Sequence, residues 1–105
     1  MSDSKELTTE ISKCIQQNPV VLFTSNTQCL YCEKALHFLS TNCIPFYEYV
    51  LDFEGPDYTD LVALSSQTTV PNIFVNGMHV GGYDKLVDFY NNGYLISDFC
   101  FSGDF

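Results

Sequence analysis

The sequence predicts an α/β domain, a mixed four-stranded sheet flanked by helices on both faces. Three observations carry that prediction. Apolar, β-branched runs at Val20 to Thr24 and Ile44 to Leu51 enclose a helical stripe, which makes a βαβ unit. Two further apolar segments flank Asn76-Gly77, the strongest short-range hairpin signal. Helical spacing also recurs before the first strand and on both sides of the hairpin.

Leu7, Ile11, Cys14 and Ile15 repeat at helical spacing, and Asn18-Pro19 stops that helix. Val20 to Thr24 reads as a buried strand, followed by a polar loop from Ser25 to Gln28. Tyr31, Ala35, Phe38 and Leu39 then form one apolar stripe of a second helix, which ends near Thr41-Asn42. Ile44 to Leu51 is rich in aromatic and β-branched residues and reads as the second strand. Gly55-Pro56 turns the chain into a third helix carrying Tyr58, Leu61, Val62 and Leu64. Asn72 to Val75 and Met78 to Val80 are the hairpin strands, closed by Gly81-Gly82. Tyr83, Leu86, Val87 and Tyr90 open a fourth helix that stops at Asn92-Gly93.

With 105 residues the chain is expected to be one domain over 1–105, with its core at about 7–92 and a short aromatic tail at 93–105. A hydrophobic share of 46% and an aromatic share of 15% fit a globular chain. No apolar run approaches the roughly 20 residues that span a bilayer, so no membrane association is expected. Thirteen acids stand against four bases, for a formal net charge of -9. That leaves too little Lys and Arg for a nucleic-acid footprint. The first residues carry no pattern of a secretory or transit signal. The five cysteines, at 14, 29, 32, 43 and 100, form no disulfide-scaffold spacing. A reducing, cytoplasmic setting is therefore expected.

The chemistry concentrates at Cys29-Leu30-Tyr31-Cys32, at the mouth of the second helix. The first turn of a helix presents unpaired N–H groups and the positive end of the macrodipole, and both favour a thiolate. A second thiol one turn on can close a small disulfide ring and release whatever the first has captured. A structural zinc site is the competing interpretation. It needs two more ligands at compact spacing, and Cys14, Cys43, Cys100, His37 and His79 offer no second pair. Cys14 lies on the apolar stripe of the first helix and is expected to be a buried small hydrophobe. Cys43 and Cys100 are expected to be structural or adventitious, and both histidines to lie at the surface.

Two further features point to the same place. Thr69-Val70-Pro71 precedes the third strand, where a proline suits a fixed turn such as a cis bond. Gly81-Gly82-Tyr83-Asp84 feeds a strand into a helix, where glycines admit a close ligand and the helix start binds anions. Alone, the first is an ordinary edge turn and the second an ordinary helix entry. In order with the cysteines, they resemble the glutaredoxin family, the glutathione-linked branch of the thioredoxin-like fold, over about residues 7 to 92. The thioredoxin branch is less similar, since it usually carries a Trp before its first active-site cysteine and this chain has none.

The resemblance implies a glutathione-dependent thiol–disulfide oxidoreductase acting on protein disulfides and glutathione mixed disulfides. Cys29 would be the nucleophile, Cys32 the resolving thiol, and Tyr31 part of the active-site surface. Thr69, Val70 and Pro71 would present the Val70 backbone to the cysteinyl part of glutathione. Gly82, Tyr83 and Asp84 would receive its γ-glutamyl end. Glutathione would be a co-substrate, with no tightly bound cofactor, and the protein a monomer. The alternative is a dimer sharing a [2Fe-2S] cluster through Cys29 of each copy and two glutathiones.

Three positions depart from the family pattern. Leu30 stands where a proline usually separates the cysteines, and family members lacking that proline tend to bind clusters. Asn26 replaces a basic residue, and the position after the second cysteine is the acidic Glu33. Both changes remove positive charge, so weaker glutathione binding is expected. The Cys29 pKa is expected below the free value of about 8.5 but less depressed than in lysine-bearing relatives. Lys34 is the residue that could offset part of this loss of charge, although at its helical spacing it is expected to point away from the site.

Overall fold

The computed structural model describes residues 9–95. The expectations for Cys100 and for most of the aromatic tail lie outside the described residues. Helix α1 (Glu10–Gln17) starts with a capping box in which Thr9 and Ser12 each accept the other's backbone N–H at 3.1 Å. Its buried face, Ile11, Cys14 and Ile15, is the stripe seen in the sequence. Strand β1 (Val20–Ser25) follows, then helix α2 (Leu30–Thr41) and strand β2 (Tyr47–Leu51). Helix α3 (Pro56–Ser65) leads to the hairpin of β3 (Asn72–Val75) and β4 (Met78–Gly81), and α4 (Tyr83–Asn91) closes the order.

The sheet runs β2-β1-β3-β4. β1 pairs parallel with β2 and antiparallel with β3, which pairs antiparallel with β4. This mixed pattern follows from the connections: α2 provides the crossover a parallel pair needs, whereas Asn76-Gly77 joins an antiparallel one. Both turn residues have positive φ, +51° at Asn76 and +82° at Gly77, as a tight hairpin between twisted strands requires.

The uninterrupted apolar run of β1 reflects burial on both faces. Val20 and Leu22 face a core with Ala35, Leu39, Ile73, Val75 and Leu86, on the side covered by α2 and α4. Val21 and Phe23 face the other core with Ile11, Ile15, Leu51, Leu61 and Phe74, under α1 and α3. Cys14 belongs to this second core and is buried, as its position predicts. Leu95, at the start of the tail, packs on the first.

The second strand begins three residues later than the apolar pattern at Ile44 indicates. The Ile44 N–H is spent on the Leu39 carbonyl (2.9 Å), closing the end of α2, and Pro45 has no N–H to give a ladder. Among the described residues no helix is long and apolar enough to cross a membrane.

Candidate active site

β1 delivers the chain to the end of the sheet where α2 begins. The buried Thr24 hydroxyl donates to Glu48 of β2 at 2.8 Å, which ties the strand's exit to its neighbour. After the 25–28 loop, Cys29 occupies the N-cap of α2 with extended backbone (φ -149°, ψ 102°). A capping side chain satisfies one of the four N–H groups left over at a helix start, and here the cap is sulfur. The Cys32 N–H donates to Cys29 Sγ at 3.2 Å. The two sulfurs are joined as a disulfide across a Cα separation of 5.3 Å. Cys29 is half-buried and Cys32 buried, so the first is the more accessible of the two. Leu30 and Tyr31 beside it are 62% and 55% exposed, leaving an apolar rim open to a partner.

The other two segments of the sequence pattern converge on this cap. Cys29 Sγ lies 3.9 Å from the Val70 carbonyl oxygen. The Val70–Pro71 bond is cis, in line with the expectation for that proline. The Gly82 turn abuts the same loop, since a Cβ there would sit 3.7 Å from the Pro71 carbonyl oxygen. Tyr83 opens α4 with its ring 6.2 Å from that of Tyr31. Cys29, Cys32, Tyr31, Val70, Pro71, Gly82 and Tyr83 are thus brought together. Thr69 is exposed, and Asp84 is exposed in the first turn of α4.

Lys34 corrects the expectation that it points away. Its ammonium lies 5.7 Å from the Tyr31 ring centroid and 6.0 Å from that of Tyr83. A cation within about 6 Å of an aromatic face is attracted by the ring quadrupole, so two rings hold this charge on the site side. The spacing was visible, since Tyr31 and Lys34 are i and i+3 neighbours on a helix. What the sequence did not reveal was that Tyr83 would stand across from them.

Gln67 carried no signal in the sequence, being one polar residue in a polar loop. In the fold its Nε2 donates to the Thr69 carbonyl at 2.8 Å and to the Pro71 carbonyl at 3.0 Å. His79 is exposed, as expected, and its Nε2 lies 3.1 Å from Gln67 Oε1. Burial lowers the His79 pKa, which favours the neutral ring. Burial raises the Cys14 pKa, opposed by the Asn18 side chain and reinforced by Glu10. Among the described residues no three His, Cys, Asp or Glu side chains cluster as a metal site.

A four-stranded mixed sheet between helix layers, with a Cys-x-x-Cys capping the helix after β1 and a cis-proline loop against it, defines a thioredoxin-like redox protein. The comparisons narrow that class. The glutaredoxin family model matches residues 20–80. Glutaredoxin-1 of Rhizophagus irregularis is 46% identical over 88 residues, covering 81% of this chain and 86% of that protein. Glutaredoxin 3 of Escherichia coli is 36% identical over 67 residues, 64% of this chain and 80% of its own. Among solved structures, a buckwheat glutaredoxin–glutathione complex superimposes with a TM-score of 0.70 at 27% identity, covering 80% of this chain and 78% of that one. A wheat glutaredoxin gives 0.72 at 28% identity, covering 89% of each chain. The chain belongs to the glutaredoxin family.

Proposed function

We propose that this single-domain protein is a glutathione-dependent thiol–disulfide oxidoreductase with Cys29 as nucleophile and Cys32 as resolving thiol. The observation that carries the proposal is the sulfur cap. Cys29 Sγ takes the Cys32 N–H at a helix N-terminus while remaining partly open to solvent. After reduction, that N–H and the helix macrodipole stabilise the thiolate over the thiol.

The Cys29 thiolate attacks the glutathione sulfur of a mixed disulfide. An S–S bond forms between Cys29 and glutathione, and the substrate leaves as a thiolate that takes up a proton. Two routes complete the cycle. A second glutathione thiolate attacks the bound glutathione sulfur, releasing glutathione disulfide and restoring Cys29. Alternatively the Cys32 thiolate attacks Cys29, expels glutathione and closes the 29–32 disulfide. One glutathione thiolate then attacks Cys29 and frees Cys32, and a second attacks the bound glutathione sulfur, releasing glutathione disulfide and restoring Cys29. Rates depend on thiolate fraction and on the leaving thiol's pKa.

Glutathione is the co-substrate, and the buckwheat relative in complex with it supports this assignment. Val70 offers its backbone to the cysteinyl part, flanked by Thr69 and Pro71, and Tyr31 lines the surface. The N–H groups after Gly82, with Tyr83 and Asp84, take the γ-glutamyl end, as helix starts do with carboxylates. Lys34, held over Tyr31 and Tyr83, adds a positive charge there. The protein works as a cytoplasmic monomer on protein mixed disulfides.

The test is reduction of a glutathione mixed disulfide, coupled to glutathione reductase, by wild type, Cys29→Ser and Cys32→Ser. Activity is expected to vanish with Cys29 and to survive loss of Cys32. A wild type without activity would sink the proposal.

A second assignment, a [2Fe-2S] dimer, rests on Leu30 standing where the family pattern places a proline between the cysteines. One chain brings no metal-ligating trio among its described residues, so such a cluster would take Cys29 from two copies and two external thiolates. Visible absorbance after anaerobic reconstitution, lost in Cys29→Ser, is its expected signature.

A further inference from the structure

Gln67 stands between two halves of the candidate site. Its Nε2 has two protons, and two carbonyl oxygens take them, Thr69 at 2.8 Å and Pro71 at 3.0 Å. That pair of acceptors fixes which way the amide faces. Oε1 is therefore the atom turned to His79, and His79 Nε2 is the donor across 3.1 Å. The His79 ring rests against Phe74, centroids 5.1 Å apart, and Phe74 is buried in the core under α1 and α3. From the other side, the Gln67 N–H donates to the buried Ser65 hydroxyl at 3.1 Å. Gln67 Oε1 also lies 4.0 Å from where a Cβ on Gly81 would be, next to the turn that opens α4. A single side chain thus ties the Thr69–Pro71 loop to β4.

The consequence falls on Val70. The Thr69–Val70 peptide is trans, so its C=O and N–H point in opposite directions. With the Thr69 carbonyl held by Gln67, the Val70 N–H points away from Gln67. On the other side of the residue, the Val70 carbonyl is 3.9 Å from Cys29 Sγ. An extended peptide segment pairing with Val70 needs its N–H and C=O presented in one orientation, as in strand addition.

We infer that Gln67 is a positioning residue: by holding the Thr69 and Pro71 carbonyls it orients the Val70 backbone to pair with the cysteinyl segment of a peptidic thiol substrate, and so contributes selectivity for peptidic over non-peptidic disulfides. This rests on the oxidoreductase reading proposed above.

The test follows single turnovers of the reduced protein with two disulfides. Cys29 thiolate attacks one sulfur of glutathione disulfide, forming the Cys29–glutathione bond and releasing one glutathione thiolate. The same attack on 4,4′-dithiodipyridine releases a pyridine thiolate and involves no peptide backbone. Gln67→Met keeps the length and removes both donors. It is expected to slow the reaction with glutathione disulfide about tenfold, the scale of a lost oriented hydrogen bond. Its rate with dithiodipyridine should stay within about twofold of wild type on the same argument. Gln67→Arg, which again offers N–H donors to the two carbonyls, is expected to recover most of the loss. Equal slowing with both disulfides, or no slowing with either, would overturn the positioning role. A wild type that reacts with dithiodipyridine but forms no Cys29–glutathione bond with glutathione disulfide would overturn the glutathione assignment and this role together.

Discussion

Cys29 and Cys14 are the same residue type in opposite surroundings, and the contrast makes a prediction. Cys29 sits at a helix N-cap with a backbone N–H on its sulfur and partial access to solvent. Cys14 is buried, and burial pushes its thiol pKa up. In the reduced protein, the pH profile of iodoacetamide alkylation should break below the free value of about 8.5 at Cys29. Cys14 should remain unmodified over the same pH range, because burial raises its thiol pKa above the ordinary cysteine value. Peptide mapping of the alkylated protein assigns each phase. A Cys29 profile without a break below about pH 8 would mean that the cap does not stabilise the thiolate. The depression should also be moderate. Asn26 contributes no charge, and Glu33 places an anion in the first turn of the same helix. Lys34 is engaged by two tyrosine rings.

Elements were legible in the sequence where one interaction decides them. β1 reads as a buried strand because its apolar run matches burial on both faces, and the hairpin reads from Asn76-Gly77 because both turn residues need positive φ. The start of β2 was not legible. It depends on a backbone bond from Ile44 to the end of α2, which no side-chain pattern records. The candidate site divides the same way. Its cysteines, its proline and its glycine turn are residue types with unusual chemistry or backbone, and they stand out in one dimension. Gln67, Ser65 and Lys34 are ordinary polar residues whose roles come from what the fold sets opposite them. Ser65, the last residue of α3, illustrates the cost of missing them. Its buried hydroxyl donates to the Leu61 carbonyl at 2.9 Å and accepts from Asn72 Nδ2 at 2.9 Å and the Gln67 N–H at 3.1 Å. Ser65→Ala removes that acceptor and strands the buried Asn72 amide donor. We expect a loss of about 1–3 kcal/mol. Urea titration should show a lower midpoint with an unchanged slope, whereas a change below about 0.5 kcal/mol, typical of surface substitutions, would deny the hydroxyl that role.

For the whole molecule, net charge and local charge oppose one another at the candidate site. The chain carries a formal net charge of -9, and glutathione disulfide is itself an anion at neutral pH. Lys34 is a cation held over Tyr31 and Tyr83 at the candidate site. Which of them governs association depends on screening. In about 0.01 M salt the Debye length is about 30 Å, and at about 0.15 M it is about 8 Å. The radius of gyration is 14.3 Å, so at low salt an approaching anion feels most of the protein's charge, and at higher salt mainly its nearest part. Repulsion should therefore dominate at low ionic strength and fade as salt is added. The second-order rate of the reduced protein with glutathione disulfide is expected to rise across that range. The rate with neutral dithiodipyridine should stay flat. Lys34→Ala should begin lower and rise more steeply, because it removes an attraction that partly offsets the repulsion. Stopped-flow measurement of both proteins at several salt concentrations checks this directly. A wild-type rate that falls with salt, with the fall abolished in Lys34→Ala, would show that one lysine pinned between two tyrosines outweighs the charge of the entire chain.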